Sequence, residues 1–504
     1  MIKREAWKHT LFLTLFPAGL GGIFAMGFSP FSHAYVAYGA LVVLFISLWL
    51  LRRVKDAALL SFCFGLGWFS IGLSWVMNSM TEHGRLPWIV ALLGLLLLSA
   101  VLSLFPAVAG ALSKRILRQS AGFPFFFAGL LVLAEGVRGN WLLNFGWLTP
   151  AYALLETPLA SLAAIGGVHG VNLIFFLSAG LAASLIIRFL RSRRGVPELL
   201  GLIGVVIAGY GVHAVEWSSP GAQLEVRMIQ PNLPVVDAWA RVNPAERIRQ
   251  LLPLADGEWK TEGPRLTVTP EGVVNSLIER LDPDSVEGLI ALQKRSDSPV
   301  LFNGFRRKGE NVFNTEFLFS DQGIEYGLDK RYLVPFGEFV PVGARWFVDL
   351  LGIPMSDLTS GALSQPLMQL DGVSIGVLIC YENLYGSLSR VYSSQYLPNV
   401  LVVTANLGWF SSAIIGQHLD MSRMRALEIA RPLIQVNNTG LSAVVNSKGQ
   451  LVTVLSNTGP DSETIQLRGA VGAPTPYVKF GDWLALISTG LLLILSFFGC
   501  RKSQ

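Results

Sequence analysis

Hydrophobic positions follow two different patterns along the chain. As far as Val215 they form long uncharged runs broken by short basic stretches, and from Leu224 they form short runs broken by turns. One further long run closes the sequence. A helix needs about 20 apolar residues to cross roughly 30 Å of hydrocarbon. On that measure Thr10–Leu51, which holds no Lys, Arg, Asp or Glu, predicts two spans with a turn at Gly27–Pro30. Ala57–Met80, Trp88–Leu112, Ala121–Leu133, Pro158–Ile187 and Leu199–Val215 predict five more, and Trp483–Gly499 predicts an eighth.

The basic residues orient these spans. Lys3, Arg4 and Lys8 precede the first; Arg52, Arg53 and Lys55 follow the second; Lys114, Arg115 and Arg118 follow the fourth. Arg188, Arg191, Arg193 and Arg194 follow the sixth, and Arg501 and Lys502 end the chain. The alternate loops hold Arg85, Arg138 and little else. Because Lys and Arg are retained on the cytoplasmic side, the pattern puts both termini inside and the long polar segment outside. It also supports the short fifth span, without which the alternation breaks. The N-terminus has the look of a signal peptide, but a second apolar run follows at once, so it reads as a retained span. The expected organisation is a membrane domain over 1–216, an extracytoplasmic domain over 217–481, and an eighth helix with a cytoplasmic tail over 482–504.

Within the outer segment, Leu224–Gln230, Arg265–Thr269, Pro299–Asn303, Val373–Ile379, Asn399–Thr404 and Leu433–Asn437 predict strands. Several are continuously apolar, as suits a sheet covered on both faces. Pro244–Ala255, Gly272–Arg280 and Ile415–Ala430 predict helices. Together they describe one α/β domain. Polar residues follow three of the strands: Glu271, Cys380 and Asn406. Strand ends are where such sheets usually carry a site.

Composition agrees with a lipid environment. Hydrophobic residues make up 52% of the chain and charged residues 14%, against about 25% charged in soluble domains; mean hydropathy is +0.50. A net charge of +5 over 504 residues is too small to suggest nucleic acid as a partner. Three cysteines, Cys63, Cys380 and Cys500, offer neither a disulfide framework nor metal-ligand spacing, and nothing calls for a cofactor. Cys63 and Cys500 lie in or beside apolar runs and read as small buried hydrophobes.

Cys380 differs, because it stands at the end of a buried strand in Ile-Cys-Tyr-Glu. A cysteine there becomes a nucleophile if a base takes its proton. A buried carboxylate can be that base, and a lysine can favour the thiolate and then hold an oxyanion. Histidine is not required; of six in the chain, only His418, on a predicted helix, has a suggestive place. Glu271 lies in Val-Thr-Pro-Glu-Gly, and Lys330 in Asp-Lys-Arg-Tyr-Leu-Val-Pro-Phe-Gly-Glu-Phe-Val-Pro.

A glutamate, a lysine and a cysteine in that order, each after a strand, resemble the nitrilase superfamily. The Lys330–Pro341 motif resembles the apolipoprotein N-acyltransferases in particular. So do Gln230-Pro231-Asn232, Asn406–Phe410, Met421–Glu428, Asn438-Thr439-Gly440, Glu135–Gly139 and Ile165–Val171. Leu407-Gly408 departs from the pattern, where a pair such as Asp-Ala is expected. The resemblance implies a polytopic α-helical membrane protein with an inserted nitrilase-like α-β-β-α sandwich, in the bacterial inner membrane with the catalytic domain on the periplasmic side. It implies acyl transfer from a phospholipid, typically phosphatidylethanolamine, to the S-diacylglyceryl-cysteine of an apolipoprotein. Glu271 would be the base, Cys380 the nucleophile that forms a thioester, and Lys330 the oxyanion stabiliser. Glu338, Tyr381, Glu382, Trp239 and Asn406 would support the site or bind substrate.

Two other readings stay open on sequence. A membrane-tethered amidase or nitrilase would use the same triad. A transporter with an outer binding domain would draw on Glu135 and Arg138, since intramembrane charges often mark pathways; three residues apart, the two could equally pair on one helix face.

Overall fold

The computed structural model describes residues 2–141, 144–234, 243–340, 343, 345–346, 357–395, 397–410, 412–456 and 458–499. The chain divides into two compact units, Met1–Val215 with Lys479–Gln504, and Glu216–Val478.

The first unit is helical: α1 (Ile2–Ala25), α2 (Ala34–Leu50), α3 (Val54–Gly72), α4 (Trp88–Leu117), α5 (Phe123–Gly136), α6 (Ala163–Leu190), α7 (Val196–His213) and a C-terminal helix, Trp483–Gly499. Among the described residues, four stretches are long and apolar enough to cross a membrane: Val54–Gly72, Trp88–Leu117, Pro158–Leu190 and Val196–His213. Leu11–Ala25, Ala34–Leu50 and Trp483–Gly499 are shorter apolar helices. The surfaces of these helices explain the composition. α7 buries Glu198, Val205 and Gly209, while Leu200 and Ile207 stand more than 60% exposed. Such a face is unfavourable in water by roughly 25 cal/mol per Å² and suits hydrocarbon.

Two predicted spans are interrupted. The run from Ala57 stops at Gly72, and a helical turn, Trp75–Asn78, and a wider one, Ser79–His83, follow. The run from Pro158 opens with a tight turn, Pro158–Leu162, and α6 is broken at Gly166 and Gly167, where Gly167 has φ 62° and ψ −166°. Gly167 bends the backbone here, because only glycine enters that region without strain. Close packing lies elsewhere. A Cβ at Gly67 would stand 1.8 Å from the Ala18 carbonyl oxygen, and one at Gly21 would stand 1.9 Å from that of Phe64. α1 and α3 thus touch backbone to backbone, as small residues allow in membrane helices.

The second unit holds two six-stranded sheets. One contains β1 (Ser219–Gln230), β2 (Arg265–Val268), β3 (Val300–Lys308), β4 (Asn311–Ser320) and β5 (Gly323–Asp329), with β12 (Asp461–Val471) at its edge in the order β12-β1-β2-β3-β4-β5. The other contains β6 (Met368–Leu370), β7 (Val373–Ile379), β8 (Val400–Ala405), β9 (Leu433–Asn437), β10 (Ala443–Val445) and β11 (Leu451–Val454), in the order β11-β10-β9-β8-β7-β6. In each, three consecutive strands are parallel, β1–β3 and β7–β9, and the flanking strands are antiparallel.

Parallel neighbours need crossover connections, and these are helices: α8 (Pro244–Leu251), α9 (Pro283–Ser296), α10 (Gly386–Gln395) and α11 (Ala413–Ile429). Asn243 and Asp282 cap α8 and α9 by accepting from the amides of Ala245 and Ser285. Ile248, Leu251, Leu289 and Leu292 of these two helices pack on Val300, Phe302 and Phe317. Between the sheets, Val226, Met228, Val268 and Leu318 meet Ile375, Val377, Val402 and Ile434. Each such side chain contributes about 1.5–3 kcal/mol when fully buried. Helices over one outer face, two sheets, and α10 and α11 on the other make an α-β-β-α sandwich.

Gly272–Arg280, expected to be a helix, is a turn ending in one tight helical turn, Ile278–Arg280. Gly272 has φ 79°. The segment instead runs beside β3: the Val274 amide donates to Asn303 O, and Phe305 N donates to Ser276 O. Strands β4, β5, β6 and β10–β12 are not expected from the sequence, since none is a long, continuously apolar run.

Candidate active site

β2 and β5 run in the same direction within one sheet, so the loops after them leave the same edge. Glu271 lies two residues past Thr269 in the first loop and Lys330 begins the second. The Lys330 ammonium, 1% exposed, lies 3.0 Å from the Glu271 carboxylate and 3.0 Å from that of Glu338. Cys380 begins the turn after β7 of the other sheet, close enough to Glu271 for that carboxylate to raise its thiol. The structure therefore brings Glu271, Lys330 and Cys380 together from two sheets.

Asn314, unmarked by the sequence, binds the two carboxylates to each other. Its Nδ2 donates to Glu271 at 2.9 Å and to Glu338 at 2.8 Å. Its Oδ1 accepts from Asn303 Nδ2 at 2.7 Å, and Asn303 Oδ1 accepts from the Gly272 amide at 2.8 Å. The turn carrying Glu271 is fixed from beneath by β3 and from behind by Arg247, which donates to the carbonyls of Gly272 and Val273. Glu338 is oriented by the Val334 amide, 2.9 Å from its second oxygen. Asn303 and Asn314 sit in strands where an isolated amide looks like a surface residue; only the pairing of β3 with β4 turns them toward the carboxylates.

The electrostatics suit a resting thiol beside a base. Burial pushes the Cys380 thiol well above its ordinary value, and Glu271 pushes it further, while Lys330 pulls it back. Burial alone would depress Lys330, but Glu271, Glu338 and Cys380 outweigh it and hold the ammonium well above the usual lysine value. Deeper between the sheets, burial raises the Glu316 carboxyl to about 8, so that it is largely protonated at neutral pH. Its Oε1 accepts from Thr404 Oγ1 at 2.5 Å.

Cys380 is held in an unusual backbone state. Cys380 has φ 51°, a left-handed conformation that costs a non-glycine residue on the order of 1–3 kcal/mol and persists where surroundings impose it. Glu382, fully buried, takes the amides of Ile379, Arg331 and Tyr332 at 2.9, 2.6 and 3.3 Å. It also pairs with the Arg331 guanidinium at 3.0 Å. The carboxylate thus ties the residue after Lys330 to the residue before Cys380, and Arg331 keeps it below its ordinary value despite burial. Tyr381 packs edge-on to Tyr385, ring centres 5.4 Å apart, and Tyr385 stacks on Tyr332 at 4.4 Å. Asn406 accepts from Gly408 N at 3.2 Å and from Asn438 Nδ2 at 3.1 Å. Trp239 and Cys500 lie outside the described residues.

Among the described residues, no group of three His, Cys, Asp or Glu side chains is arranged to hold a metal ion. In the helical unit, Glu135 and Arg138 pair at 2.6 Å. Arg138 also donates to the carbonyls of Phe145 and Trp147 at 2.7 and 2.8 Å. The pair is a buried tie between α5 and the chain that follows it.

Known proteins resemble both parts of the chain. Residues 20–181 match the family model described as apolipoprotein N-acyltransferase N-terminal domain, and residues 259–467 match carbon-nitrogen hydrolase. Apolipoprotein N-acyltransferase of Nitrosomonas europaea is 34% identical over 96% of this chain and 97% of its own. The Ralstonia nicotianae protein of the same name is 32% identical over 89% and 86%. Among solved structures, XC1258 from Xanthomonas campestris, a CN-hydrolase superfamily protein, is 16% identical over 55% of this chain and 96% of that one, with a TM-score of 0.37.

Proposed function

The chain belongs to the apolipoprotein N-acyltransferases, and on that premise we propose that it carries a fatty acyl group from phospholipid to lipoprotein as a thioester on Cys380. It is an acyltransferase of the bacterial inner membrane, and its protein substrate is a lipoprotein. The donor in this reading is a phospholipid of the phosphatidylethanolamine type. The acceptor is the α-amino group of the S-diacylglyceryl-cysteine that begins an apolipoprotein. The observation that carries the reading is the Glu271–Lys330 contact at 3.0 Å with the Cys380 thiol beside the same carboxylate.

Glu271 takes the thiol proton as sulfur attacks the ester carbonyl carbon of the phospholipid. The oxyanion that forms is stabilised by the Lys330 ammonium, whose own charge is secured by Glu338 and Glu271. Collapse breaks the carbon–oxygen bond, and the proton on Glu271 passes to the leaving alkoxide, which departs as lysophospholipid. In the second half, the acceptor amine attacks the thioester carbonyl and Glu271 accepts a proton from nitrogen. The amide forms as sulfur leaves, and the thiol regains the proton. Parking the acyl group on the enzyme means that two bulky lipids need not occupy the site together. Keeping water from the thioester separates this outcome from hydrolysis. Tyr381, Glu382, Asn406 and Trp239 are assigned to shaping the site and its acceptor side.

The test is acylation without acceptor. Purified protein given phosphatidylethanolamine gains one acyl mass on the peptide containing Cys380 and releases lysophospholipid. A diacylglyceryl-cysteine peptide then discharges it as an amide. Glu271→Gln acylates very slowly, because its side chain cannot accept the proton. If Cys380→Ala still transfers acyl chains at a normal rate, the covalent route is wrong. If free fatty acid forms in place of amide when the acceptor is present, the protein is a hydrolase.

A further inference from the structure

The strained nucleophile has an anchor outside the triad. His418 on α11 is 1% exposed, and its Nε2 lies 3.3 Å from the carbonyl oxygen of Cys380. A carbonyl can only accept, so the hydrogen is on Nε2. Nδ1 is then an acceptor, with Asn383 Nδ2 lying 3.3 Å away. The same Asn383 amide donates to His418 O at 3.0 Å and to Ser422 Oγ at 3.0 Å. Ser422 Oγ donates onward to Gln435 Oε1 at 2.6 Å, and Gln435 Nε2 donates to Leu441 O at 3.0 Å. Asn383, Ser422 and Gln435 are wholly buried. The chain of bonds therefore runs from β9, through α11 and the turn after Cys380, to the nucleophile's own carbonyl.

Resting on the thioester reading above, we propose that His418 is a positioning residue for the acylation step. It holds the Cys380 peptide in its left-handed conformation, so that the thiol stays aimed at Glu271 and Lys330. Cys380 has φ 51° and needs an external hold to keep it there. The imidazole is suited to hold rather than to exchange protons, because burial draws it down to about 4 and leaves it neutral at neutral pH. The Cys380 carbonyl, which can only accept, fixes the tautomer, and the buried Asn383 amide lies against the other nitrogen. The proposal separates His418 from the familiar part of histidine as a base for cysteine: Glu271 has that part here, and His418 addresses the backbone, not the sulfur.

Two substitutions separate this role from simple core packing. His418→Leu fills the space and removes the donor, while His418→Gln keeps an N–H at nearly the same reach. Full-length protein is given phosphatidylethanolamine alone, and acyl-thioester formation is followed by mass, normalised to folded protein. His418→Leu forms the thioester about 10- to 100-fold more slowly than the parent at saturating lipid, the range expected when a reacting group is misplaced by about 1 Å. The lipid concentration for half-maximal rate stays unchanged. His418→Gln recovers most of the rate. The proposal is overturned if His418→Leu acylates at the parental rate, or if His418→Gln is as slow as His418→Leu. Cys380→Ala, run alongside, distinguishes the two claims. An active Cys380→Ala sinks the thioester reading itself, whereas an inactive Cys380→Ala beside a fully active His418→Leu sinks only the anchor.

Discussion

Glu316 illustrates what burial does to a single residue. It sits on β4 two residues from Asn314, between the sheets, with Thr404 as its partner on the opposite sheet. In the folded protein burial raises its carboxyl to about 8, from 4.5 for an unperturbed side chain. Between those two values the unfolded chain releases the proton that the folded chain keeps. Stability must therefore fall as pH rises through that window, and the contribution is lost once pH passes the folded value. Glu316→Gln copies the neutral acid in shape and cannot ionise. In detergent solution, the melting temperature of Glu316→Gln relative to the parent should rise by several degrees from pH 5 to pH 8. An equal offset at both pH values would mean that Glu316 is ionised within the fold. The same reasoning explains why Glu382, equally buried, behaves oppositely. Arg331 and three backbone amides favour its charged form, so burial and charge coexist.

At the scale of elements, close contact between helices depends on the absence of side chains. α1 and α3 meet where Gly21 and Gly67 leave no room for a Cβ, so the contact gains dispersion that a larger residue would forfeit. Gly67→Ala would set a methyl group 1.8 Å from the Ala18 carbonyl oxygen, and the two helices must separate to admit it. Gly19→Ala is the control, since a Cβ there meets nothing within 4 Å. Gly67→Ala should lower the melting temperature in detergent by several degrees, and Gly19→Ala should leave it unchanged or raise it slightly, as expected for alanine in a helix. Equal melting temperatures for the two variants would rule out a tight α1–α3 contact. In the sandwich, the antiparallel pair β3 and β4 plays the corresponding part: its register sets Asn303 and Asn314 on one face and so fixes the distance between Glu271 and Glu338.

At the scale of the whole molecule, solvent decides where the site can work. Both proposed substrates are held in a bilayer by acyl chains, so a site that serves them must belong to a membrane protein. From the alternation of basic loops we propose that Ser192 is cytoplasmic and that the unit Glu216–Val478 is periplasmic. Fusions of a periplasm-active phosphatase truncated at Ser192 and at Asn303 should read opposite, inactive at the first and active at the second. The same reading from both would overturn the topology.

The sequence by itself determined the features that depend on local pattern. Apolar runs of span length, the one-sided distribution of Lys and Arg, and the continuously apolar strands before Cys380 and Asn406 follow from what a bilayer and a doubly covered sheet each require of neighbouring residues. The order Glu271, Lys330, Cys380 was legible too, because each stands in its own distinctive short motif. Tertiary structure decided what depends on residues distant in the chain. Glu271 and Lys330 are 59 positions apart, and their contact exists because β2 and β5 leave the same edge of one sheet. Asn314 and Glu316 lie in a strand without a long apolar run, Asn303 ends the run of a strand that has one, and only the second sheet turns one face of those strands into an interior. The segment after Gly272 was legible as apolar but not as extended, since its conformation is set by hydrogen bonds to β3 rather than by its own period. His418 carried no motif that tied it to Cys380; it acquires that partner only when α11 packs over the turn that ends β7.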